Sequence, residues 1–228
     1  MIIFGRNPVR EAIRGPRRVR AVWATKNAAR EPWLPDPVIA SAEEIERRCG
    51  SDAHQGVCAE VSAFRYASID RVLAATDPLI VALDQIQDPQ NLGAICRTAE
   101  CAGAAAVVVP ERRSADVTAA VCKASAGAVE HLPIARVRNL ADFLADAKAA
   151  GLWCYGAEGG SDTDYREPDY GGGVVLVLGS EGRGLRARVS AACDALVSIP
   201  LRGRIESLSV TAAAAVLLYE VGRSRASA

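Results

Sequence analysis

Hydrophobic periodicity divides the chain into two parts. From Leu79 onward, mostly apolar segments that suggest strands recur at 79–83, 105–109, 133–137, 152–156, 174–178 and 196–199. Segments with helical spacing lie between most of them, Leu140–Ala150 among them. A run that is apolar at every position suits a strand covered on both faces. Strands alternating with helices predict an α/β fold built on a mostly parallel sheet. The last segment, about Val210–Arg223, is apolar nearly all round. Its helix should therefore bury more than one side, and a subunit interface is a natural second side.

The first 64 residues have a mixed pattern. Asn7-Pro8 predicts a helix start, with Pro at the first helical position and Val9, Ala12 and Ile13 on the buried face. Val19–Ala24, Val38–Ala40 and Val57–Val61 have strand character, and Ser41-Ala-Glu-Glu44 opens a short helix that ends near Cys49-Gly50. The organisation expected is a small α/β unit over 1–64, a linker over 65–77 and a larger α/β domain over 78–228.

Charge refines this picture. Lys and Arg total 27, as do Asp and Glu, so the chain is neutral and lacks the overall basic excess of a generic nucleic-acid binder. Residues 1–30 nevertheless hold eight basic side chains against the single acid Glu11. That excess is either a local electrostatic footprint or a solvated Arg-rich surface. No apolar run reaches membrane-spanning length and none follows the N-terminal arginines as in a signal peptide, so a cytoplasmic protein is expected. The seven Cys form no C-x-x-C pair, and no His lies near the closest two, Cys96 and Cys101. They are expected to be reduced core residues, and no metal site is expected.

Three segments carry candidate chemistry. Asp88-Pro-Gln-Asn-Leu-Gly-Ala-Ile-Cys-Arg-Thr-Ala99 follows the strand 79–83 directly. It reads as a turn that opens a helix, the junction where ligands bind in open α/β sheets. Asn91 is a candidate cap, Gly93 permits close backbone approach, and Arg97, between Cys96 and Ala99, is expected to be a partly buried anion-binding residue. The second segment, Gly179-Ser-Glu-Gly-Arg-Gly184, follows the strand 174–178. Its G-x-x-G-x-G spacing and late position do not fit a dinucleotide fingerprint, and there is no Walker A sequence. The third, Ile199-Pro-Leu-Arg-Gly, passes from strand to loop, and Ser207 or Ser209 can cap the final helix.

Together, in order and spacing, these segments resemble the SpoU/TrmH branch of the SPOUT RNA 2′-O-methyltransferases. The likeness runs from about Leu79 to Arg223 and includes Arg113-Ser-Ala115 and Lys123-Ala-Ser-Ala-Gly-Ala-Val-Glu130. Ile3-Phe-Gly-Arg-Asn-Pro-Val-Arg-Glu-Ala12 and His54-Gln-Gly56 are similar to the small RNA-binding domain of the subgroup that methylates a 23S rRNA guanosine. The tRNA-modifying relatives generally lack that domain.

The resemblance implies a C-terminal trefoil knot, an exception to the rule against threaded chains. It implies S-adenosylmethionine held in the knot loops near Gly179, Ile199, Leu201 and Leu208, and an RNA substrate. It also implies a homodimer in which Arg97 and the cofactor loops come from different subunits. Asn91, Arg97, Glu181, Ser207 and Ser209 match the family's active-site positions. Membrane and DNA are not expected partners. The family usually reads S-L-N-V-S where this chain has Ser207-Leu-Ser-Val-Thr211, so Ser209 replaces an Asn. That exchange, with the Pro-rich passage at Pro32, Pro35 and Pro37, leaves two alternatives: a tRNA 2′-O-methyltransferase, or a non-catalytic RNA-binding or ribosome-assembly relative.

Overall fold

The computed structural model describes residues 1–226. Strands β5 (Leu79–Leu83), β6 (Ala106–Pro110), β7 (Ile134–Val137), β8 (Trp153–Ala157), β9 (Val174–Leu178) and β10 (Ala195–Val197) form one sheet in the order β10-β8-β9-β5-β6-β7. Every pairing in it is parallel. Within β5, Leu79, Val81 and Leu83 enter one apolar cluster while Ile80 and Ala82 enter another. The unbroken apolar runs thus reflect a sheet packed on both faces.

One face is covered by α4 (Pro89–Cys101), α5 (Ala119–Ala124) and α8 (Val210–Ala226). The other carries α3 (Ile69–Leu73), α6 (Leu140–Ala149) and α7 (Ala187–Ser190). Strand order runs one way from β5 to β7, and the later strands stack on the opposite side of β5. The boundary between β5 and β9 is therefore a topological switch point, where the carboxyl ends of the strands leave a crevice.

Residues 2–61 supply a second sheet of order β1-β4-β2-β3, from β1 (Ile2–Phe4), β2 (Val19–Ala24), β3 (Val38–Ile39) and β4 (Val57–Val61). Helices α1 (Arg6–Arg14) and α2 (Ala42–Cys49) accompany it. The sequence pattern did not reveal β1, whose three residues pair antiparallel with Cys58–Glu60. Helix α1 begins at Arg6 after Gly5, two residues before Pro8, so Pro8 is not the first helical residue. Ser41 caps α2 by accepting from the Glu44 N–H at 3.2 Å.

Segment 65–77 is more ordered than a bare linker. Ser68 caps α3, Val72 of that helix is buried, and Ala67 bridges to Ala135 of β7. A continuous apolar cluster runs from Ile3, Val9 and Val57 to Leu92, Ile134 and Leu218, joining the two sheets' layers.

Helix α8 has two different sides. Val210, Ala214, Leu217, Leu218 and Val221 are buried, whereas Ala212, Val216 and Tyr219 form an exposed stripe on this single chain. Near its end, the Arg225 guanidinium donates to the carbonyls of Asp77 (3.2 Å), Pro78 (3.3 Å), Tyr170 (3.3 Å) and Gly172 (2.6 Å). Among the described residues, no helix is long and apolar enough to cross a membrane.

Candidate active site

The carboxyl ends of β8, β9 and β10 open into a cleft of about 390 Å³. Its walls come from three stretches that are remote in sequence: 157–159, 178–184 and 197–208, closed by one side of α8. Each stretch follows an apolar strand, and parallel strands deliver their following loops to the same end of a sheet.

The loop after β9 is tightly closed. Ser180 and Gly184 exchange backbone hydrogen bonds of 3.2 and 2.9 Å. A Cβ on Gly179 would lie 2.2 Å from the Gly184 carbonyl carbon, so only glycine permits this turn. Glu181, Gly182 and Arg183 form its exposed tip. The loop is also anchored from below. Asp84, wholly buried just past β5, accepts from the Arg186 backbone N–H at 2.9 Å and from its Nε at 2.8 Å. The Asp84 N–H in turn donates to the Leu178 carbonyl at 2.8 Å, across the switch point.

Six of the nine residues anticipated from sequence meet in this cleft: Gly179, Glu181, Ile199, Leu201, Ser207 and Leu208. Leu201 and Leu208 are partly open to solvent, as is all of the segment 200–209. Ser209 is adjacent in sequence but is not among the residues lining it. It is the cap of α8, with its Oγ accepting from the Ala212 N–H at 3.3 Å. Ser207 does not share that role.

Asn91 and Arg97 also lie outside the cleft wall, on α4. Asp88, not Asn91, caps α4: its Oδ1 accepts from the Gln90 N–H at 2.9 Å, with Pro89 at the first helical position. Asn91 falls within the first turn, half-buried. Arg97 is exposed on the single chain, contrary to the partly buried setting expected for it. Leu92, Ile95, Cys96 and Ala99 form the buried stripe, and one further step of about 100° around the helix turns position 97 toward solvent. Gly93 serves helix packing. A Cβ there would stand 2.4 Å from the Ala124 Cβ, so α4 rests directly on α5.

One element of the site is not legible in the sequence, and a second is marked only by the family likeness at Arg113-Ser-Ala115. Asp84 stands at the end of an apolar strand, and that position was the only available signal. The second is the loop after β6, which the Ala115 N–H joins to the Ile86 carbonyl at 2.9 Å. Arg112 and left-handed Arg113 (φ 59°) are exposed on this loop.

Chemically, the cleft offers apolar walls (Leu178, Val197, Ile199, Leu208), backbone groups of a glycine turn, and three carboxylates, Glu158, Glu181 and Glu206, against one Arg183. That combination suits a small ligand with a flat apolar portion and cationic groups.

A parallel α/β sheet with a loop-built cleft beyond its carboxyl ends defines a ligand-binding α/β protein of the open-sheet class. Comparison then specifies it: residues 78–219 match the SpoU rRNA methylase family, and the chain belongs to that family. YacO of Bacillus subtilis, assigned to the TrmH family of tRNA/rRNA methyltransferases, is 36% identical over 237 residues, covering 98% of this chain and 95% of YacO. The AdoMet-bound rRNA methyltransferase of Sinorhizobium meliloti superposes with a TM-score of 0.82 at 28% identity, covering 97% of this chain and 86% of that one. The A. aeolicus TrmH/SpoU tRNA modifying enzyme gives a TM-score of 0.60 at 27% identity, covering 70% of this chain and 83% of that one.

Proposed function

We propose that this protein is a cytoplasmic S-adenosylmethionine-dependent ribose 2′-O-methyltransferase acting on a guanosine of 23S rRNA. The observation that carries the reading is the cleft itself, in which the glycine turn and the 197–208 segment converge beyond the parallel strands. Its residues fit the cofactor. Backbone near Gly179, Ile199, Leu201 and Leu208 would hold the adenine, and the acidic lining favours a cationic sulfonium and ammonium. When bound, S-adenosylmethionine supplies an electrophilic methyl group.

The chain's own task is to present a ribose 2′-hydroxyl to that methyl group and to accommodate the loss of its proton. Arg97 is assigned to clamping a phosphate of the target nucleotide and stabilising the emerging alkoxide. Its planar fork suits both tasks, and guanidinium is a poor base. Asn91 and Glu181 orient Arg97 or the nucleotide, and Ser207 fixes the cofactor loop. Arg97 reaches the cleft of a second subunit in a homodimer, a reading supported by its exposure and by the exposed Ala212–Val216–Tyr219 stripe of α8. The 197–208 segment is assigned to the C-terminal knot.

Residues 1–64 are read as the RNA-recognition unit. The choice of rRNA over tRNA is supported by coverage: the named rRNA enzyme spans 97% of this chain, and the named tRNA enzyme 70%. Ser209 favours a second reading, a non-catalytic RNA-binding relative, because its hydroxyl is engaged in capping α8.

The test is methyl transfer from labelled S-adenosylmethionine to unmodified large-subunit rRNA and to tRNA, with nucleoside mass spectrometry of the products. 2′-O-methylguanosine in rRNA is the expected product. Product in tRNA alone would overturn the rRNA assignment, and product on neither RNA from a protein that fails to bind S-adenosylmethionine at millimolar concentration would favour the non-catalytic reading.

A further inference from the structure

A second cleft, of about 630 Å³, lies between the small sheet and the far edge of the large one. It is bounded by the chain entering β2 (16–20), the connecting segment 62–71, and residues 129–134, which lead into β7. Five arginines line it: Arg17, Arg18, Arg20, Arg65 and Arg71. The one acidic lining residue is Glu130. Arg20 is shared with Glu60 at 3.1 Å, whereas Arg18, Arg65 and Arg71 are exposed and make no ion pair among the described residues.

Arg17 is different in kind. Its side chain is 94% buried, yet only Nη2 has protein partners, the Glu130 carboxylate and Cys122 Sγ at 3.5 Å. Nε and Nη1 are buried and have no protein acceptor. It also borders a smaller neighbouring cleft with Pro35 and Asp36. Phe64 lies beneath its guanidinium carbon, 5.8 Å from the ring centre. A buried guanidinium with two unanswered N–H sides is costly, because hydrogen bonds made by a charged group are stronger than neutral ones and here they go unmade.

We infer that this cleft binds the phosphodiester backbone of the RNA substrate at a place remote from the methylated nucleotide. The arrangement selects a polyanion over a small anion. Its cations come from two separate chain segments, 17–20 and 65–71, and line a cleft of about 630 Å³, far larger than one phosphate group needs. A chain of phosphates spaced along a strand suits the unpaired Arg18, Arg65 and Arg71 better than a single anion does. Position separates the cleft from the catalytic one. It sits at the amino end of β7, three strands from β9 and at the opposite end of the sheet. With strands about 4.8 Å apart and about 3.3 Å per residue, the two sites are roughly 20 Å apart. RNA held here is therefore a flanking or folded-back part of the substrate. Engaging it selects molecules large enough to reach both sites.

This inference rests on the RNA-substrate reading, and the experiment separates the two. Binding of in vitro transcribed, unmodified large-subunit rRNA is measured across a salt series by filter retention. The proteins are the wild type and an Arg18→Gln/Arg65→Gln/Arg71→Gln variant, with Lys148→Gln on α6, outside residues 1–64 and outside both clefts, as control. S-adenosylmethionine binding and the melting temperature are followed in parallel. The triple variant should bind about tenfold or more weakly at low salt, with a salt-dependence slope smaller by about 2, as for three lost single-strand phosphate contacts. Its cofactor affinity and melting temperature should be unchanged. A Glu130→Gln variant, which keeps an acceptor for Arg17 but removes the opposing charge, should bind RNA a few-fold more tightly. A triple variant that binds as the wild type does, or one that weakens with an unchanged slope, overturns the cleft assignment and leaves the methyltransferase reading standing. Wild-type protein that binds no RNA overturns both.

Discussion

Asp84 and Arg186, 102 residues apart in the chain, form a charge-assisted clamp between the end of β5 and the loop after β9. The carboxylate is fully buried while the guanidinium is 44% exposed, so Asp84 depends on this partner for its solvation. Removing the Arg186 side chain leaves a buried charge held by a backbone N–H alone. Hydrogen bonds to charged groups are worth about 1.5–3 kcal/mol, and partial exposure of Arg186 argues for a net loss of about 2 kcal/mol in Arg186→Ala. In a chain of this size that is a melting-temperature decrease of about 4–8 °C. Calorimetry should show it together with weakened S-adenosylmethionine binding. An unchanged melting curve would mean that the clamp does not hold the loop.

Gly93→Ala tests the seating of the helix that carries Arg97. The added methyl would meet Ala124 Cβ at 2.4 Å and the Ser125 amide nitrogen at 2.9 Å. Overpacking of this kind costs about 1–3 kcal/mol, against about 1 kcal/mol gained in helix propensity. The expected result is a net destabilisation in denaturant titration. A stabilised variant would show that α4 and α5 separate easily.

Ser209 allows capping to be distinguished from catalysis. Ser209→Ala removes the acceptor for the Ala212 N–H and should cost about 1 kcal/mol, whereas Ser209→Asn preserves a cap. If the serine limits turnover, Ser209→Asn should raise methyl transfer at unchanged stability. Equal turnover in Ser209→Asn and wild type would make the exchange catalytically neutral.

Arg97 is exposed, so Arg97→Ala should alter stability by no more than about 0.5 kcal/mol. Under the proposed role its methyl-transfer rate should fall about 100-fold or more. An Arg97→Lys enzyme should show a low rate that stays flat with pH. A rate that climbs with pH would instead identify a base at this position.

Thiol reactivity follows burial. Burial pushes the thiols of Cys96 and Cys154 up to about 12 and that of Cys58 up to about 11, whereas Cys101 is exposed. At pH 8, Ellman's reagent should label Cys101 first in the native protein. Cys58, Cys96 and Cys154 should react only after denaturation. Rapid labelling of Cys96 in the native state would contradict the packing of α4.

The large sheet is legible because its central strands, β5, β6 and β9, are apolar at consecutive positions, a pattern that two covered faces explain. The six runs appear within two residues of their predicted bounds. Short elements were less visible. β1 has three residues at the start of the chain, and α3 is a single turn and a half within a polar stretch. The glycine turn and the 199–208 segment announced the cleft because local chemistry marks them. The clamps did not, since Asp84–Arg186 and Arg17–Glu130 join positions more than one hundred residues apart, each unremarkable in its own neighbourhood. Exposure of Arg97 was misjudged for a related reason: apolar neighbours in sequence say little about a helical position one-third of a turn away.

Arg225 gives the chain's last helix a bearing on synthesis as well as on the finished fold. Four carbonyls at the amino edge of the sheet, from Asp77, Pro78, Tyr170 and Gly172, converge on this one guanidinium. On the ribosome, α4 is complete more than one hundred residues before Arg225 is added. At about 5–20 residues per second, the apolar surface that α8 will cover stays open for roughly 6–25 s. For most of that interval β8, β9 and β10 are themselves still to be made, so the surface open to chaperones is the uncovered apolar side of an incomplete sheet, and chaperone engagement should be concentrated there.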